Sequence, residues 1–341
     1  MTSHPPVGHF GHQSVVGTYQ PSLATLNTRS LRDGLGVQAV YVYGGGRQSD
    51  GTLHAFERKF IGPMTAGLWL MRVENGKVKF DRSSTRTVRG ETKRTFGEDE
   101  VVWSGQMMET QVGQHGLEEE LVLRFTDGAI AWSEGEVLRL HGTLAGPGLQ
   151  MLAPDPVEAL YYSSEVYKVS GRVAAADVEG FVFLDHSAWP HGTDWKEYVA
   201  FNHLQLAWAP FANEFEDGSI EWGFLCLGAD RFSFIMVADA HDAVALRTSD
   251  VTGGVDVGEN NYAQRVVWRA SDGRTWRFDM EPGGEIAEFA EARWGGYRAH
   301  AGLVRRLGDE RAVKVGFAWL EAFPHRLADN KIPSVDEALT G

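Results

Sequence analysis

Six tight-turn dipeptides punctuate this chain and constrain its fold more than any other feature. Asp-Gly occurs at 33–34, 50–51, 127–128, 217–218 and 272–273, and Asn75-Gly76 adds a sixth. Such pairs supply the positive φ that two-residue hairpins demand. The flanking residues alternate: Leu121, Leu123 and Phe125 share one face before a turn, and Ile220, Trp222 and Phe224 share one after. Phe232, Phe234 and Met236, and later Trp276, Phe278 and Met280, repeat the pattern. A side-chain period of two marks strands half-buried in a sheet. Helical periodicity is confined to 285–293 and 335–339. The fold class read from this pattern is all-β and antiparallel, with meanders closing into barrels or curled sandwiches.

A length of 341 residues predicts about two domains, placed at 1–165, with a flexible N-terminal tail, and 166–341, with the junction itself falling between about 155 and 195. A net charge of −14 argues against nucleic-acid or anionic-membrane binding, which need a basic footprint. The single cysteine, Cys226, lies within an apolar run and reads as a core residue. The start, Met-Thr-Ser-His-Pro-Pro, shows no secretory signal, and no apolar stretch is long enough to span a membrane as a helix. A cytoplasmic location is expected.

The stretch Phe181-Val-Phe-Leu-Asp185-His186-Ser-Ala-Trp189 is an apolar run ending in an acid, an imidazole and an indole. A continuous apolar run of this length reads as a strand covered on both faces, and burial tunes the charge of titratable groups at its end. Together with Tyr161-Tyr-Ser-Ser, Val169-Ser-Gly-Arg-Val and Val315-Gly-Phe-Ala-Trp-Leu-Glu321, it resembles the lipocalin-like carotenoid hydratase (hydroxyneurosporene synthase) and AttH-type superfamily. That group includes kievitone-hydratase-like proteins and fungal Diels–Alderases. The resemblance implies two tandem lipocalin-like (calycin) barrels. It also implies an Asp-His segment between them that carries function. The family pattern has one residue between His and Trp, followed by Gly. Here Ser187 and Ala188 intervene and Pro190 follows. A one-residue bulge in this strand would return Trp189 to the face of His186.

Asp185 and His186 are neighbours on a strand and so face opposite ways. His186 is expected to face the pocket, with Asp185 bound to backbone or to an arginine across the domain interface. Asp194 and Trp195 read either as a second polar and aromatic corner over the cavity or as a simple turn with a packed indole. Trp208 is read as pocket wall or core, and one of Tyr161 and Tyr162 as a hydroxyl donor. The catalytic candidates are therefore His186, Asp185 and Asp194, and the substrate-binding candidates are Trp189, Trp195, Trp208, Tyr161 and Tyr162. Asp217 sits in hairpin-turn chemistry. His9 and His12 form an H-x-x-H in a tail rich in Gly and Pro. Tyr43-Gly-Gly-Gly-Arg47 lacks the Lys-Ser/Thr of a phosphate loop. No metal or cofactor is expected.

The leading expectation is a cofactor-independent acid–base enzyme, a hydratase, dehydratase, cyclase or related lyase. It would act on a hydrophobic terpenoid, polyketide or aromatic molecule in a β-barrel cavity. A protonated acid or imidazolium would deliver the proton, and aromatic faces would stabilise the developing cation. Two alternatives stay open: a non-catalytic lipophile-binding protein, and a pericyclase acting by shape alone. The partner expected is the hydrophobic small molecule, with self-association into a homo-oligomer open.

Overall fold

A computed structural model of the chain describes residues 13–32, 34–62, 64–84, 86–87, 90–110, 115–154, 159–190, 199–229, 232–239, 246–291 and 296–340. It is almost entirely antiparallel β, arranged as two curled, barrel-shaped sheets. The expected turns fall where strands reverse. Asn75 (φ 52°) and Gly76 (φ 71°) both take the left-handed conformation and join Met64–Glu74 to Lys77–Phe80. Gly51, Gly128, Gly218 and Gly273 also have positive φ at the ends of hairpins. The two helical expectations appear as Ala287–Glu291 and Val335–Thr340. The helices Val199–Leu204 and Pro324–Asp329 carry no signal long enough to be read.

The first sheet closes on itself. The long strand Ala176–Ala188 pairs with Val37–Arg47 on one side and with Leu160–Val173 on the other. The remaining strands lead back round to Leu160–Val173 through Leu138–Leu144. The second sheet has nine strands, running from Leu246–Thr248 at one edge to Val251–Val257 at the other. The passage between sheets therefore lies after Ala188 and before Ala207. The expected boundary at 165/166 falls inside the strand Leu160–Val173. The passage begins inside the junction expected between about 155 and 195. Both long strands are needed to close the first barrel, so the chain cannot leave it at 165.

Three apolar layers follow from strand alternation. Leu121, Leu123, Phe125, Val182 and Leu184 fill the first barrel. Leu225, Val266, Trp276 and Phe278 fill the curl of the second sheet. The outward faces of both sheets meet in a third layer containing Phe181, Phe183, Tyr162, Trp208, Phe224 and Phe317. The glycine run of Val37–Arg47 belongs here rather than to a phosphate loop. A Cβ on Gly45 would lie 2.2 Å from the Phe317 ring, so its absence allows the sheets to approach. Arg47 then ties them together through an ion pair with Glu281 and a hydrogen bond to the Gly316 carbonyl at 2.9 Å.

Candidate active site

The alternation that builds these layers also sorts the Asp-His segment. Phe181, Phe183, Asp185 and Ser187 face the second sheet, while Val182, Leu184 and His186 face the first barrel's interior. A cavity of about 220 Å³ lies in the layer between the sheets. It lies at the junction of the two sheets rather than in a barrel lumen, because both interiors are filled by side chains. Tyr41, Tyr43, Glu57, Lys59, Tyr162 and Asp185 come to it from the first sheet. Trp208, Tyr297, Trp319 and Glu321 come from the second side, and the linking helix adds Phe201 and Leu204.

Asp185, 4% exposed, accepts a short hydrogen bond from the Tyr162 hydroxyl at Oδ2, and its Oδ1 has no hydrogen-bond partner. Burial raises its pKa to about 7, against the polar groups of Ser164, Tyr162 and Tyr43, and the Glu57 charge adds to the rise. Glu321 stands on the opposite wall. Its oxygens accept hydrogen bonds from the Tyr297 hydroxyl and the Gln205 amide, each at 2.9 Å. Burial takes its pKa to about 7 as well, with Tyr297 opposing and both Glu57 and Asp185 adding repulsion. Burial also pushes Glu57 up, with Lys59 opposing. Lys59 is the one cation among the described lining residues. Burial disfavours its ammonium, but Tyr41, Glu57 and Glu321 together outweigh that and hold its pKa above the usual value. The ammonium lies 4.8 Å from the centre of the Tyr41 ring. The aromatic wall is continuous: Tyr43 stacks on Phe183 at 5.2 Å, and Tyr162 meets Trp208 edge-on at 5.0 Å.

The expected residues divide accordingly. Asp185, Tyr162 and Trp208 line the cavity. His186 does not; it faces away, buried against Trp103, and burial with Arg32 and Arg94 lowers its pKa to about 3. The expectation that His186 rather than Asp185 faces the pocket is thus reversed. The reason is that the cavity lies outside the first barrel. Tyr161 points away from Tyr162 and donates to Gln150 Oε1 at 2.7 Å. Trp189 shares the face of Asp185 and Ser187, two residues beyond Ser187, so the expected bulge in its own strand is not needed. Pairing to Leu160–Val173 is unbroken through Ala188. The irregularity lies in the other partner, where Ala188 pairs with Val37 and Gln38 is the extra residue. Trp189 packs edge-on against Phe201 at 5.8 Å, behind the wall rather than in it. Asp194, Trp195, His9 and His12 lie outside the described residues. Asp217 accepts from the backbone and hydroxyl of Ser219, as its turn setting implies. Cys226 is buried in the core layer, and burial raises its thiol pKa.

Glu57, Lys59, Tyr41, Tyr43, Tyr297 and Glu321 were missed in the sequence. A signal existed for two of them. Glu321 is in phase with Phe317 and Trp319, and Glu57 with Leu53 and Ala55, on strands whose shared face is otherwise apolar. A carboxylate in phase with core residues is either neutralised or functional.

No protein-family model and no curated protein matches the chain. Among solved structures it is similar to the AttH-assigned protein NE1406 of Nitrosomonas europaea, with 16% identity and a TM-score of 0.49 over 87% of this chain and 96% of that one. It is also similar to CghA in complex with Sch210972, at 10% identity and a TM-score of 0.43 over 84% and 89%. Kievitone hydratase from Nectria haematococca follows at 8% and 0.43 over 87% and 91%. At these identities and TM-scores the likeness is one of chain course alone. Among the described residues no helix is long and apolar enough to cross a membrane, and no three His, Cys, Asp or Glu side chains gather as a metal site.

Proposed function

We propose that the cavity between the sheets binds a hydrophobic small molecule and performs acid–base chemistry on it, as a hydro-lyase or an isomerase or cyclase. The observation that carries this reading is the pair Asp185 and Glu321, on opposite walls of one aromatic cavity, each with a pKa near 7. Two carboxyl groups that repel each other titrate as a pair, so near neutrality a state with one proton between them is well populated. Such a pair offers a proton donor and a proton acceptor at once, at the pH where transfer is most effective. Asp185 is the better donor, since its Oδ1 has no other partner. Glu321, nearer the Lys59 charge, is the better acceptor. Tyr162 holds the Asp185 carboxyl, and the faces of Trp208 and Trp319 line the space where positive charge would develop. The chemistry needs no more than the acids the cavity already holds. A cavity of about 150 Å³ accommodates benzene, so 220 Å³ suits a larger ring system or a short isoprenoid segment.

The test uses an apolar fluorescent probe to measure occupancy, and a panel of terpenoid, polyketide and aromatic compounds that displace it. Mass spectrometry then reads the displacers for gain or loss of water, or for isomers of unchanged mass. D185N is expected to retain probe binding and to lose turnover by about a hundredfold or more. Turnover equal to wild type in D185N would reject the acid–base assignment. Displacement with no product from any compound would favour a binding protein.

A further inference from the structure

The opposite face of the Asp-His strand has an unfinished polar cluster. Four buried nitrogens there have no hydrogen-bond partner: Arg32 Nε, Arg94 Nε, Trp103 Nε1 and His186 Nε2. They are neighbours. Trp103 meets the His186 ring edge-on at 6.3 Å, and the Arg94 guanidinium carbon lies 4.9 Å from the centre of the Trp103 indole. Arg32 and Arg94 both act on the His186 imidazole electrostatically. Trp103 is 0% exposed and His186 1%. Buried polar atoms of this kind almost always find a partner, and a protein interior tolerates partly buried arginines when an anion answers them.

Two acids stand near this cluster, Glu91 in the lining of the second cavity and Glu165, whose charge acts on Arg32. Glu165, on the same interior face, already accepts from the hydroxyls of Tyr19, Thr25 and Tyr167. Arg32 donates to the Thr25 carbonyl, and Arg94 to Thr28 Oγ1 and the Gly62 carbonyl. Burial and the charge of Arg29 push the Arg94 pKa down, the mark of cations facing each other. No ion pair of Arg29 or Arg94 with a carboxylate is present among the described residues, although the chain carries a net charge of −14. Arg94 and Arg29 also line a second cavity, of about 230 Å³, together with Thr28, Thr92, Gln38 and one acid, Glu91.

We propose that this end of the first barrel is a binding site for a small oxyanion, a phosphate or a carboxylate, held by Arg94 and Arg29. The two arginines present forked donors suited to two oxygens of such a group. Thr28 and Thr92 add hydroxyls to the lining, and the Arg94 guanidinium lies over the face of the Trp103 indole. The site is separate from the cavity that holds Asp185, because the two share no lining residue.

Isothermal titration calorimetry on the full chain at pH 7 tests it, with sodium phosphate in one arm and sodium succinate in the other. Ionic strength is held constant with sodium chloride. Saturable one-to-one binding of at least one anion is expected, about tenfold weaker in R94Q and at least a few-fold weaker in R29Q. R124Q, which removes a surface arginine paired with Glu100, should bind as wild type does. Should R94Q fail to fold, R29Q decides, since Arg29 is exposed and carries no core packing. Tighter binding of phosphate identifies a phosphate site, and tighter binding of succinate a carboxylate site. No saturable binding of either anion, or binding unchanged in every folded variant, overturns the proposal.

Discussion

Asp185 is a carboxyl group whose burial has a consequence for stability as well as for chemistry. Below about pH 4 it is protonated in both folded and unfolded chains. Between its ordinary value of 3.8 and its folded value of about 7 the unfolded chain ionises while the folded chain keeps its proton. Stability therefore falls as pH rises through that window and is level above it. At about 1.4 kcal/mol per unit, the ceiling is about 4 kcal/mol. D185N removes the ionisation, so it is expected to be more stable than wild type at pH 8, with the gain shrinking toward zero at pH 4. Urea melts at the two pH values measure this. A difference that does not change with pH would mean that Asp185 does not titrate in the window. E321Q should behave in the same direction, for the same reason.

Among the elements, the strand Ala176–Ala188 carries the most consequence, because its two faces serve different purposes. Its pairing with Leu160–Val173 is in register from Val173↔Ala176 to Tyr161↔Ala188. Deleting Ala188 would pull Trp189 into a position that faces the barrel interior and would displace the linking helix that follows. A one-residue slip exchanges buried faces. A steep fall in melting temperature with loss of apolar-probe binding is expected, and a near-normal melt would show that slack exists in the link. The strands Leu53–Ile61 and Ala129–Glu134 make a second such demand. They bury the ion pair of Arg58 with Glu134, both side chains 0% exposed, with the Trp132 indole donating to Glu134 at 2.9 Å. Removing one partner leaves an unanswered charge in the barrel interior. R58M is expected to cost about 3–5 kcal/mol, read from denaturant midpoints. A cost under about 1 kcal/mol would show that water reaches Glu134.

At the scale of the molecule, the layer between the sheets is both core and site. Side chains from both sheets share one apolar cluster there, so neither sheet keeps its outward face buried without the other. Thermal unfolding is expected as one cooperative transition, and calorimetry showing two separated transitions would contradict it. The approach of the sheets depends on Gly45. G45V would force side-chain atoms into the Phe317 ring, and overpacking of this kind costs about 1–3 kcal/mol. Because Tyr43 and Gly44 lie on the same strand and line the cavity, probe affinity should fall along with stability. Loss of stability with affinity intact would separate the cavity from the packing of the sheets.

The sequence by itself determined the class of fold, the hairpins and the division of Asp185 from His186. Each of these is local: a positive φ at Asn75-Gly76, a period of two along a strand, a change of side at each residue. It did not determine which of the two neighbours faces the cavity, because both faces of residues 181–188 carry apolar side chains and both are buried. Only the tertiary structure decided that. It closed the first barrel around His186 and laid the second sheet over Asp185. Where between about 155 and 195 the chain leaves the first barrel was out of reach for the same reason, since barrel closure is set by pairing between distant strands. Glu321 was likewise out of reach as a partner for Asp185. The two stand 136 positions apart in the chain, and nothing in the local pattern of either strand says that they face one another. Their shared cavity, and with it their displaced acidity, comes from the packing of two sheets that each make sense alone.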